Sequence, residues 1–209
     1  MKTERMALAA GTLAFTLPFA AFSQASTPEC DAALKADAPR VRLTTSMGPI
    51  LLELDHRKAP LSTENFLKYV GSGHYDGTVF HRVIDNFMVQ GGGFDKNMQE
   101  KGTRGPIKNE ASNGLKNEAY TVAMARTQVY DSATSQFFIN AKDNDFLNYQ
   151  GPETGYAVFG KVVGGKETVD KIRKVRVQQS RYSEATPLEQ VSILKAECLA
   201  ATAAAPAKK

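Results

Sequence analysis

One stretch of this chain concentrates side chains that could do chemistry. It runs Phe80-His81-Arg82-Val83-Ile84-Asp85-Asn86-Phe87-Met88-Val89-Gln90-Gly91-Gly92-Gly93-Phe94. An arginine interrupts an apolar alternating strand. Phe87 and Met88 follow, then Gln90, then three glycines. If Arg82 projects from the same patch as Phe87, Met88 and Gln90, the outcome is an apolar dish with a guanidinium and an amide at its rim. Such a dish could seat an apolar group while aiming hydrogen bonds at the polar atoms beside it. The plainer reading is an ordinary strand with one exposed arginine, Val83, Phe87 and Met88 serving a core. The pattern by itself favours that plainer reading.

Other arrangements for catalysis are thin. There is no G-x-S-x-G elbow and no P-loop, and Gly91-Gly92-Gly93 has neither the G-x-G-x-x-G spacing nor a surrounding βαβ unit. Asp143-Asn144-Asp145 begins like a calcium loop, but Leu147 and Asn148 stand where a ligand and a glycine are needed. His74, near Ser72, has no orienting third group and reads as a surface-loop histidine. Two cysteines and three histidines are too few for a Cys-based zinc site or a His-rich one. No metal or cofactor is expected.

The elements that must position the dish are legible as short strands. Val41, Leu43 and Thr45 alternate with polar residues, Ser46-Met47-Gly48-Pro49 signals a turn, and Ile50, Leu52 and Leu54 alternate again, predicting a hairpin with one buried face. Pro60 to Glu64 starts a helix whose stripe is Phe66, Leu67 and Val70, with Gly71 as its stop. Strands are predicted at 79–84, 87–90, 120–125, 136–140, 157–163 and 191–194, and a second helix at 166–175 carrying Val169 and Ile172. Many short strands at this spacing suggest an antiparallel barrel or sandwich. The Gly-, Asn- and Lys-rich segment 94–118 is long for a compact domain, a mark of a functional or mobile loop.

The 209 residues predict one domain, and 42% hydrophobic with 23% charged residues is globular composition. The net charge of +4 comes with interspersed signs and no aromatic-basic stripe, which argues against nucleic acid as a partner. Residues 1–25 read as a secretory signal peptide: Lys2 and Arg5, an apolar uncharged stretch from Met6 to Phe22, then Ser23-Gln24-Ala25 before the cleavage point. An uncleaved anchor is the alternative; Gly11, Pro18 and the lack of a positive flank argue against it. Residues 26–39 form an N-terminal segment, and 200–209 an Ala/Lys tail expected to be disordered. An exported protein, periplasmic in a Gram-negative host, follows, with no membrane contact after cleavage. In that oxidising setting Cys30 and Cys198 either pair, closing nearly the whole domain, or remain separate thiols.

The segment around Arg82 resembles the signature of the cyclophilin family of peptidyl-prolyl cis–trans isomerases, in its exported bacterial branch. The resemblance continues through Met124-Ala125-Arg126-Thr127, Asp131–Asn140 and Phe159-Gly160-Lys161-Val162. It implies a closed eight-stranded antiparallel β-barrel capped by two α-helices over residues 40–199, with the active site on the barrel's outside. Arg82 then corresponds to the family's catalytic arginine, and Gln90 to the residue that places it and bonds the substrate backbone. Phe87, Met88, Phe138 and Leu147 correspond to the proline pocket, and Ala125 and Gln136 to the groove for the preceding residue. Arg126 stands where many members have Asn, whose main chain binds substrate. Tyr156 replaces a frequent His. Phe146 stands where many eukaryotic members have Trp, which implies weak or no cyclosporin binding. His81 belongs to the motif as a structural residue. The implied substrates are proline-containing unfolded or extended polypeptides, and a monomer is expected. A peptide-binding or chaperone module using the same groove is the rival reading, with Arg82 and the intact pocket against it.

Overall fold

The computed structural model describes residues 27–200. The expected leader, and all but the first residue of the expected tail, lie outside the described residues. In chain order the elements are α1 (Pro28–Ala33), β1 (Arg40–Thr45), β2 (Gly48–Leu54), α2 (Pro60–Gly71), β3 (Thr78–Ile84), β4 (Met88–Asp95), β5 (Thr121–Met124), β6 (Phe137–Asn140), β7 (Val158–Gly164), α3 (Lys166–Arg173), β8 (Val177–Gln178), β9 (Thr186–Pro187) and β10 (Ser192–Leu199). Eight of the strands close a barrel in the order β1-β10-β3-β4-β6-β5-β7-β2, every neighbouring pair antiparallel. The remaining two, β8 and β9, make a small separate hairpin. Of the barrel and sandwich that the strand spacing left open, the molecule is the barrel.

Strand period decides what lies inside. Val41, Leu43, Ile50, Leu52 and Leu54 are buried at alternate positions of β1 and β2, with Arg42 outside. The two main helices cap the barrel. Phe66 of α2 meets the rings of Tyr75, Phe137 and Phe159 at 5.0–5.3 Å, and Val169 and Ile172 of α3 are fully buried. Hydrophobic burial of these side chains, at about 25 cal/mol per Å² of apolar surface, is the main stabilising term.

Several elements differ from expectation. Gly71 is the last helical residue of α2, not a stop beyond it. The glycine run belongs to β4, which extends to Asp95, and β10 continues to Leu199. Short α1 was not foreseen; its Cys30 is disulfide-bonded to Cys198 of β10, their Cα atoms 5.1 Å apart. His74 is buried, not on the surface: its Nε2 lies 3.0 Å from the Gly92 carbonyl and its ring 4.6 Å from that of Tyr69. Burial lowers its pKa.

The segment 94–118 is fastened along its length. Lys101 donates its backbone N–H to Gly93 O and its ammonium to the carbonyls of His74 and Asp76. The Arg104 amide donates to the Tyr69 hydroxyl at 2.7 Å. Glu110 solves a local problem of α2. Ala59, at that helix's N-cap, has no side chain that can accept from the exposed amides. The Glu110 carboxylate accepts from the backbone amides of Leu61 and Ser62 and from the Ser62 hydroxyl at 2.7–2.9 Å, a cap supplied from 48 residues away.

Candidate active site

The barrel wall made by β3, β4, β6 and β5 turns one set of side chains inward and the next outward. Val89, Val122, Met124, Phe137 and Ile139 join the main core. Met88, Ala123 and Phe138, one residue out of phase, join a second apolar cluster with Leu147 and Val158, against which Phe87, Ala125 and Tyr156 pack. Inter-strand register then fixes a row across the outer face: Arg82 pairs with Gln90, Gln90 with Phe138, and Phe138 with Ala123. Arg82 reaches this outer face because the β3–β4 ladder slips between Phe80 and Arg82. The arginine stands at one end of the row with apolar surface at the other.

The row borders a cavity of about 120 Å³ lined by Arg82, Phe87, Met88, Gln90, Ala125, Arg126, Phe138, Leu147 and Tyr156. Drug-sized ligands occupy roughly 300–1,000 Å³, so this hollow suits a single small ring. Met88 and Phe138 make its floor at 1% and 4% exposure. Two residues expected at the site stand behind or beside it. Gln136 does not line the cavity but accepts a hydrogen bond from Gln90 Nε2 at 3.0 Å. Phe146 is 64% exposed and stacks on Phe87, ring centroids 5.6 Å apart. Arg126 lies over the Tyr156 ring at 4.7 Å and donates from Nε to Gly155 O at 3.0 Å, so the two together form one wall. A larger cleft of about 380 Å³, among Asp37, Asp55, Arg57, Leu115 and Lys161, holds none of the row and has charges of both signs.

The guanidinium of Arg82 is held on two sides. Its Nη1 faces Gln90 Oε1 at 3.4 Å and Met88 Sδ at 3.9 Å, and its Cζ lies 5.8 Å from the Phe87 ring. Its Nε and Nη2 both donate to Glu184 Oε1, at 3.0 and 2.6 Å. That pairing holds the Glu184 carboxyl below the usual carboxylate range. Glu184, in the loop between β8 and β9, carried no signal in the sequence; it lies 102 residues beyond its partner.

The glycines act on the same row. A Cβ at Gly93 would stand 2.6 Å from Gln136, displacing the side chain that Gln90 bonds. Gly92 has φ +88°, and a Cβ there would meet the Tyr75 and Phe137 rings at 2.9–3.1 Å. A buried asparagine network secures the other side. Asn144 donates to Phe87 O and to Asn140 Oδ1, Asn140 to Asn117 Oδ1, and Asn117 to the carbonyls of Leu147 and Tyr156, all at 2.8–3.3 Å. Three pocket residues thus have their backbones pinned by one polar cluster. Asp143 and Asp145, which open the calcium-like sequence, accept from the Ala119 amide and from Asn148 Nδ2. Among the described residues no group of three His, Cys, Asp or Glu side chains is placed to hold a metal ion.

The outer wall of this closed barrel thus carries a small apolar hollow with a fixed guanidinium at its edge. Comparison with known proteins gives the class. The chain matches the family described as cyclophilin type peptidyl-prolyl cis-trans isomerase/CLD over residues 40–198. It is 56% identical to a peptidyl-prolyl cis-trans isomerase of Streptomyces antibioticus, over 76% of this chain and 98% of that one. It is 51% identical to peptidyl-prolyl cis-trans isomerase B of Escherichia coli, over 73% and 95%. A crystal structure of a Cryptosporidium parvum cyclophilin type isomerase, in the presence of the dipeptide Ala-Pro, superposes with a TM-score of 0.67 at 27% identity, covering 77% of this chain and 99% of that one. The chain belongs to the cyclophilin-type peptidyl-prolyl cis–trans isomerases, and it is an enzyme of that kind.

Proposed function

We propose that the protein accelerates rotation about X–Pro bonds in unfolded or extended exported chains by stabilising the twisted amide with Arg82. The observation that carries this is the row Arg82–Gln90–Phe138–Ala123, which sets a guanidinium and an amide over an apolar floor. Amide resonance sets a barrier of about 18–20 kcal/mol to rotation. In the transition state the C–N bond is twisted and the nitrogen pyramidal and basic. A donor aimed at that nitrogen stabilises the twisted form more than the planar one, and each ~1.4 kcal/mol of that difference gives tenfold in rate. Arginine suits the task because it stays charged and presents a rigid fork of donors. The proline ring seats on Met88, Phe138 and Leu147, with Phe87 beside it, and excludes water from the Arg82 contact. Gln90, backed by Gln136, holds the substrate backbone, and Ala125 with the Arg126 main chain borders the residue before proline.

A folded loop seldom fits a groove that reads both backbone and ring, so flexible chains are the substrates. Two features support a periplasmic, exported setting: the leader-like pattern of residues 1–25 and the Cys30–Cys198 bond, of a kind that persists in oxidising compartments. Among the described residues no helix is long and apolar enough to cross a membrane. Cyclosporin binding is weak or absent, because the Phe146 ring at the rim offers no indole N–H. The protein works as a monomer.

NMR exchange spectroscopy on a short X–Pro peptide tests the mechanism. Catalysed exchange with the wild type, reduced at least about a hundredfold in Arg82→Ala while peptide binding persists, is the expected result. Wild-type exchange rates in the variant would remove Arg82 from the reaction, and no acceleration by the folded wild type would leave a peptide-binding module.

A further inference from the structure

We infer that Glu184 is a positioning residue for catalysis: it anchors the Nε/Nη2 edge of Arg82 so that Nη1 is the donor presented to the groove. The inference rests on the Arg82 reading above and adds the group that aims the arginine. An arginine has five N–H donors on a long flexible stem, and an unanchored one spreads them over many rotamers. Here two of the three nitrogens converge on a single carboxylate oxygen, at 3.0 and 2.6 Å. The third is left over the pocket, between Gln90 Oε1 and Met88 Sδ. Because the guanidinium is planar, fixing one edge fixes the direction of the remaining donors. Gln90 alone, at 3.4 Å, makes one long contact and leaves the torsions of the stem, up to Cδ–Nε, unopposed.

The anchor is itself anchored. The loop between β8 and β9 folds back on itself: Ser180 Oγ accepts from the amides of Tyr182 and Ser183, and Ser183 Oγ accepts from the Ala185 amide. Ala185 O then accepts from the Val83 amide at 2.9 Å, which ties the residue after Glu184 to the residue after Arg82. Ser183 Oγ also reaches Glu184 Oε2 at 3.4 Å, leaving Oε1 for the arginine. The Glu184 side chain is 58% exposed and belongs to a loop outside the closed barrel, so its substitution should leave the barrel folded.

Exchange spectroscopy across peptide concentrations separates turnover from affinity, and the ¹⁵Nε–¹H resonance of Arg82 reports the anchor directly. In Glu184→Ala turnover should fall about tenfold, well short of the roughly hundredfold that a full ångström of misplacement costs. Peptide affinity should stay unchanged, and the Nε–H signal should move to the position of a free guanidinium. Glu184→Gln, which keeps an accepting oxygen without the charge, should recover part of the turnover. Wild-type turnover in Glu184→Ala, or an Nε–H signal that does not move, overturns the inference. So does a loss of turnover matched by an equal loss of affinity. Arg82→Ala in parallel distinguishes the two readings. If it is inactive while Glu184→Ala is not, only the positioning role fails; if it is active, both fail.

Discussion

His81 sits next to Arg82 but faces a different environment. It is 4% exposed, its ring packs on Phe94 at 4.6 Å, and its Nδ1 has no hydrogen-bond partner among the described residues. Burial first, and the Arg82 charge second, push its pKa from 6.5 down to about 4. The unfolded chain therefore takes up the proton before the folded one does. The stability this confers is fully present above the unfolded value of 6.5 and is lost as pH falls toward 4, to a total of about 3 kcal/mol. Urea unfolding at pH 7 and pH 4.5 should show that loss in the wild type and a clearly smaller one in His81→Gln. Equal losses in the two would refute the assignment. The sequence marked His81 as structural by its place in the motif. His74 it misplaced, since a loop has no periodicity from which burial could be read; only the chain's return past Gly92 encloses that ring.

At the scale of elements, the inward and outward sets of β4, β5 and β6 follow from a period of two, and their apolar residues were visible as such. Which strands adjoin was not in the pattern; the resemblance singled out Arg82, Gln90 and Phe138, but that they form one row with Ala123 comes only from the strand register. The groups that hold these elements lay further out of reach. Glu110, Asn117 and Glu184 are polar residues in irregular segments, and their partners are 48, 30 and 102 residues away. Glu110 matters most to α2, whose first amides have no local acceptor. Glu110→Gln should cost about 1–2 kcal/mol in chemical denaturation, because it removes a charge from a helix N-terminus and weakens three hydrogen bonds. Unchanged stability would mean that water caps α2 equally well. The same carboxylate ties the 94–118 segment to the start of α2, beside the bonds that Lys101 and Arg104 make.

At the scale of the whole molecule, the Cys30–Cys198 bond spans 168 residues and ties α1 to β10. Chain-entropy reasoning gives such a bond a ceiling of about 5 kcal/mol, and removing a native disulfide typically costs about 2–5. Unfolding with and without reductant should differ by that amount. Turnover at 25 °C should survive reduction, since Cys198 lies at the end of β10 that pairs only with β1, whereas β10 meets β3, the strand of Arg82, at Ser192 and Ile193. Loss of turnover in the reduced, still folded protein would instead mean that the bond acts on Arg82 along β10 and β3. The strand order has one more consequence. The first barrel strand and the last are side by side, and β10 alone separates β1 from β3. Whatever delivers this chain amino end first, a ribosome or a translocation channel, delivers an open sheet until the eight residues Ser192–Leu199 emerge. Up to that moment β1 and β3 are raw edges able to recruit any passing strand. The strands of the groove can pair among themselves earlier, but the barrel closes only when this final strand is home.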